Sequence, residues 1–86
     1  FPMLETQVYN KPLIYLDSAA TTLKPHSVIK SLQQHYQHEC SNIHRGLHYF
    51  SELGTQKYEQ ARESVAKLIN AKKNHEIIFT RGTTES

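Results

Sequence analysis

Ile77-Ile78-Phe79 is a continuous apolar run, and the turn signal Arg81-Gly82-Thr83-Thr84-Glu85 follows it almost at once. A strand that alternates apolar and polar residues shows one face to water; a strand that is apolar throughout is buried on both faces. Burial on both faces is the habit of parallel sheets covered by helices, so these residues point to an α/β fold. The run also makes a demand, because a buried strand needs neighbours. Only one other short apolar run, Leu13-Ile14-Tyr15-Leu16, is available to supply one. Apolar residues make up 37% of the 86, and the three glycines do not lift the share to the usual level of about 45–50%. Small domains already bury proportionally less surface than large ones. The chain is therefore expected to need a partner surface. It opens on Phe1, its one methionine is Met3, and Ser86 closely follows a strand-and-turn signal, so a piece of a longer chain is expected.

Read along the chain, residues 1–12 carry Pro2, Asn10 and Pro12 and suggest a loop or a loosely held lead-in. Residues 13–17 predict a strand, and Ser18 to Thr22 a turn of small residues with room for close approach. Pro25 suits a helix start, and Val28, Ile29, Leu32 and Tyr36 recur at helical spacing, which predicts a helix over 26–39. Residues 40–50 have no clean period and form a loop rich in histidine and aromatic residues. Ser51 is the expected cap of a second helix, with Glu52 in its first turn. Ala61, Val65, Leu68 and Ile69 mark its expected core-facing stripe, and Asn70 suits a left-handed end. The expected order is strand, helix, loop, helix, strand, then the start of a third helix.

Net charge is +2, with Lys and Arg spread among the acids, so no basic patch suggests nucleic acid or a membrane surface. No apolar run approaches a membrane span. The single cysteine, Cys40, cannot form an internal disulfide, which fits a reducing, cytoplasmic setting.

Three segments could carry chemistry. A turn at the C-terminal end of a buried strand is where open α/β sheets place ligands. There Gly82 would permit an unusual backbone conformation and close approach, while Thr83 or Thr84 would cap the next helix and present hydroxyls and free N–H groups to a phosphate. Such a run also serves simply to cap a helix. The second segment, Asn42-Ile43-His44-Arg45-Gly46-Leu47-His48, could bind an anion or stack on a ring, or be a solvated loop. The third, Tyr15 to Thr22, reads by itself as a strand entering a small-residue turn. A rival reading is a non-enzymatic metal-binding module built on His35, His38, Cys40, His44 and His48. Against it stand the lone cysteine and the lack of a second anchoring pair.

Taken in order, Tyr15-Leu16-Asp17-Ser18-Ala19-Ala20-Thr21, His44-Arg45-Gly46-Leu47-His48 and Arg81-Gly82-Thr83-Thr84-Glu85 resemble the N-terminal quarter or so of cysteine desulfurases. The likeness is to the sulfur-mobilisation branch, which also includes selenocysteine lyase-like enzymes, and covers about residues 13–86. It implies the aspartate aminotransferase-like fold, fold type I, with pyridoxal phosphate held on a lysine. It also implies a homodimer that converts L-cysteine to L-alanine and passes sulfur through a cysteine persulfide to an acceptor protein for iron–sulfur cluster assembly. Carried over, Gly82, Thr83 and Thr84 hold the cofactor phosphate, Ala19, Ala20 and His44 border the substrate, and Arg45, His48, Arg81 and Glu85 order the loop or the dimer interface. No residue here matches the lysine or the persulfide cysteine, so the 86 residues alone are expected to be inactive. Tyr49-Phe50 is bulkier than the family's usual pair after the second histidine. A class-V aminotransferase or epimerase of the same fold is the nearest alternative.

Overall fold

The computed structural model describes residues 1–86, which form two units, Phe1–Glu39 and Cys40–Ser86.

In the first unit a short 3-10 turn at Pro2–Glu5 leads into a two-stranded antiparallel hairpin, β1 (Gln7–Val8) and β2 (Lys11–Pro12). Its turn residues, Tyr9 and Asn10, are both left-handed, at φ 52° and 60°. That is the two-residue turn whose twist matches paired strands. The lead-in is therefore structured where the sequence suggested a loop. Residues 13–17 form no strand; Tyr15 instead folds over the following turn and donates its hydroxyl to the Thr21 carbonyl at 2.5 Å. The expected helix over 26–39 is present as α1, His26–Gln34, continued by a wider π turn at His35–Glu39. Pro25 stands just before it as the cap.

In the second unit α2 runs Tyr49–Leu68 and begins two residues before the expected cap, with His48 as the N-cap residue. Ser51 does not cap because its hydroxyl is engaged elsewhere: it donates to the Asn42 carbonyl at 2.6 Å and accepts from the Gly46 N–H at 3.1 Å. The C-terminus is closed as expected. Asn70 is left-handed at φ 59°, its N–H bonds the Lys67 carbonyl, and the Ala71 N–H bonds the Ala66 carbonyl at 2.8 Å. The stripe Ala61, Val65, Leu68, Ile69 does not face a core; Ala66 is the buried apolar residue of this helix and Leu68 is 84% exposed. Ile77 is buried, but Ile78 is 78% exposed, and residues 77–79 pair with no strand. A strand needs a neighbour to take its alternate N–H and C=O groups, and the chain supplies none at this position.

Little of either unit is buried: Phe1–Glu39 has no buried residue, and Cys40–Ser86 buries Ser51, Ala66 and Ile77. Alone, the 86-residue chain is therefore expected to melt gradually, without one sharp transition. Thermal circular dichroism checks this; a steep cooperative loss of helix would show a self-sufficient domain.

Candidate functional site

The loop between Ser41 and His48 is gripped by one face of α2. Ser51, Thr55 and Glu59 are spaced by four residues and so lie above one another on that face. Ser51, 1% exposed, ties Asn42 to Gly46 through the bonds described above. The Thr55 hydroxyl donates to the Ser51 carbonyl at 2.9 Å and accepts the His44 N–H at 2.9 Å. That bond holds His44 in a left-handed conformation, φ 61°, which costs a residue with a Cβ about 1 kcal/mol. Farther along α2, Glu59 Oε1 lies 3.4 Å from His44 Nε2, and Arg62 Nη1 lies 3.7 Å from Glu59 Oε2. Tyr58 meets the His44 ring edge-on at 5.8 Å and the Phe79 ring at 5.4 Å. Arg62 stands over the Tyr58 ring at 5.2 Å. The Tyr58 hydroxyl, which accepts from Arg62, and then the Glu59 carboxylate hold that guanidinium above its ordinary value.

Gly46 is required for space. A Cβ there would lie 2.6 Å from Ser51 Oγ and 2.7 Å from Ser51 Cβ. Gly54 lets the Ile43 methyl approach α2 in the same way, at 3.2 Å from an added Cβ. His48 serves as the cap residue of α2, its Nε2 3.4 Å from Ser41 Oγ, and Arg45 is exposed.

Residues 81–85 form a turn in the expected place, but the expected third helix does not start there. The Gly82 carbonyl accepts from the N–H groups of Glu85 and Ser86, and Glu85 folds back to accept the Arg81 N–H at 2.6 Å. Ser86 and Thr80 close the other side, their hydroxyls 2.6 Å apart. Thr83 and Thr84 do not cap: both are exposed, and neither hydroxyl is bonded within the chain. Gly82 does not have positive φ, and an added Cβ would meet nothing within 4 Å. Its expected special conformation is therefore absent, and open space before it remains. Arg81, Gly82, Thr84 and Glu85 line an open concavity of about 400 Å³.

Ala19 and Ala20 belong to the first unit, in a turn where the N–H groups of Ala20 and Thr21 both bond the Asp17 carbonyl, at 3.2 and 3.0 Å. Thr22 donates to the Ser18 carbonyl at 2.8 Å, and both alanines are exposed. The histidine-rich segment does not converge, since no three His, Cys, Asp or Glu side chains are grouped where they could hold a metal ion. No helix is long and apolar enough to cross a membrane.

The family model for class-V aminotransferases matches residues 14–86, and the chain belongs to that family. It is 51% identical over 84 residues to a probable cysteine desulfurase of Halalkalibacterium halodurans, covering 98% of this chain and 21% of the relative. It is 50% identical to a cysteine desulfurase of Pectobacterium atrosepticum, covering all of this chain and 21% of the relative. A cysteine desulfurase of Synechococcus elongatus is 49% identical over the whole chain, which covers 14% of its length. The chain thus spans about a fifth or less of these curated relatives.

Proposed function

We propose that these residues are the N-terminal part of a pyridoxal-phosphate-dependent cysteine desulfurase of fold type I. The observation that supports this reading best is the family match over residues 14–86, joined to about half identity with cysteine desulfurases across the chain. The substrate is L-cysteine. A cysteine thiolate outside these residues takes the substrate's sulfur, leaving L-alanine and a persulfide on the enzyme. The enzyme works as a cytoplasmic homodimer and hands the sulfur to an acceptor protein for iron–sulfur cluster assembly.

The turn's residues fit the phosphate. Thr83 and Thr84 offer two hydroxyls that the chain leaves unused, beside open space at Gly82. The cofactor, held on a lysine outside these residues, supplies an electron sink for the substrate's carbanion. In this reading the turn's hydroxyls and N–H groups anchor the phosphate and so orient the ring. Glu85, closed on the Arg81 N–H, keeps the turn in shape, and Arg81 and Arg45 order the site or the dimer interface. Ala19 and Ala20 leave room for the substrate, and His44, held on α2, borders it while His48 fixes the end of its loop.

The test is to incubate the full-length enzyme with L-cysteine and a reductant and to measure alanine and sulfide together. Equal yields are expected; alanine without sulfide, or neither, would remove the desulfurase assignment. Cys40 is exposed and bonded to nothing in the site, so Cys40→Ser is expected to keep activity within about twofold. Loss of persulfide with cofactor still bound would contradict that.

A further inference from the structure

We infer that Glu59 is a positioning residue, which fixes the proton of His44 on Nε2 and turns the bare Nδ1 toward the reaction. The inference rests on the reading that His44 borders the substrate.

Two observations carry it. Glu59 divides its carboxylate between two partners, with Oε1 3.4 Å from His44 Nε2 and Oε2 3.7 Å from Arg62 Nη1. An ionised carboxylate only accepts hydrogen bonds, so in a neutral His44 ring the nitrogen it faces is the favoured place for the proton, which leaves the lone pair on Nδ1. His44 Nδ1 has no partner within the chain. The second observation is that the ring is also fixed from behind and beside. Thr55 accepts the His44 N–H at 2.9 Å, and Tyr58 contacts the ring edge-on. Backbone, ring plane and proton are thus each set by a different residue of α2.

Arg62 makes the arrangement testable, because a guanidinium only donates. In Glu59→Gln the amide oxygen is held by Arg62, so the NH2 group faces His44 and must donate to Nε2. The proton is then displaced to Nδ1 with almost no change in side-chain shape. Glu59→Ala removes the preference altogether.

The experiment uses the full-length holoenzyme with selective 15N-histidine labelling, the His44 signals being assigned from His44→Gln. The parent enzyme is expected to show the Nε2–H tautomer, Glu59→Gln the Nδ1–H tautomer, and Glu59→Ala a mixture. Activity with L-cysteine is expected to fall at least about tenfold in Glu59→Gln, through kcat, with the cofactor's visible absorbance retained. An unchanged tautomer in both variants overturns the inference. So does an inverted tautomer with full activity. His44→Gln then separates the causes: if it too is fully active, the placement of His44 beside the substrate has failed; if it is inactive, the role of Glu59 alone has failed.

Discussion

Gly46→Ala is expected to dismantle the His44 loop at a cost of about 2–4 kcal/mol, joining overpacking to the loss of buried hydrogen bonds. The new Cβ would lie 2.6 Å from Ser51 Oγ and 2.7 Å from Ser51 Cβ, distances at which something must shift. The hydroxyl could rotate away, but the Ser51 Cβ cannot, because it is one bond from the α2 backbone. Either the loop or the helix start must move. Movement breaks the Gly46-to-Ser51 bond at 3.1 Å and the Ser51-to-Asn42 bond at 2.6 Å. Ser51→Ala removes the same two bonds without a collision and should cost less, about 1–3 kcal/mol. The check is denaturant unfolding of the full-length variants, with hydrogen exchange at the His44 and Gly46 amides. Both amides should exchange faster in Gly46→Ala. The double variant Gly46→Ala, Ser51→Gly should lose less than the sum of the single losses, because it removes the collision. Strict additivity would mean that Gly46 is not chosen for space.

Helices were the most legible part of this chain. Val28, Ile29, Leu32 and Tyr36 repeat at a period that only a helix produces, and α1 with its π turn fills 26–39 as expected. Asn70 ended α2 where a left-handed residue was expected. Both effects are local, set by neighbours within a turn. Strands were less legible for the opposite reason. Ile77-Ile78-Phe79 has the composition of a buried strand, but a ladder is a property of two segments, and no segment of this chain pairs with it. The hairpin at Gln7–Pro12 was missed because each strand has two residues and its turn is Tyr9-Asn10, without glycine.

At the site, the motif residues stood out, but their supports did not. Ser51, Thr55 and Glu59 look like ordinary polar helix positions until the loop is seen to fold onto them. Their spacing by four residues was the available signal. The turn at Gly82 was placed correctly, but it opens no helix here for the threonines to cap; the Gly82 carbonyl and the Glu85 carboxylate close it instead. That difference sharpens the functional reading, because it leaves both threonine hydroxyls free.

Thr83→Ala, Thr84→Ala is accordingly expected to weaken cofactor binding at least tenfold in the full-length enzyme. A hydrogen bond to a charged group contributes roughly 1.5–3 kcal/mol, and about 1.4 kcal/mol is a factor of ten in affinity. Because neither hydroxyl bonds within the chain, the substitutions should leave the turn itself intact, held by Gly82, Glu85 and Ser86. The backbone N–H groups survive, so binding should weaken without vanishing. Gly82→Val, whose side chain would project into the open space, is expected to weaken it more by blocking the approach. The deciding measurement is titration of the cofactor-free enzyme with pyridoxal phosphate, followed by the visible absorbance of the lysine-bound form. A dissociation constant at least tenfold higher in the double variant, with unchanged thermal unfolding of the cofactor-free protein, is the predicted result. An unchanged constant would contradict the assignment of this turn to the cofactor phosphate.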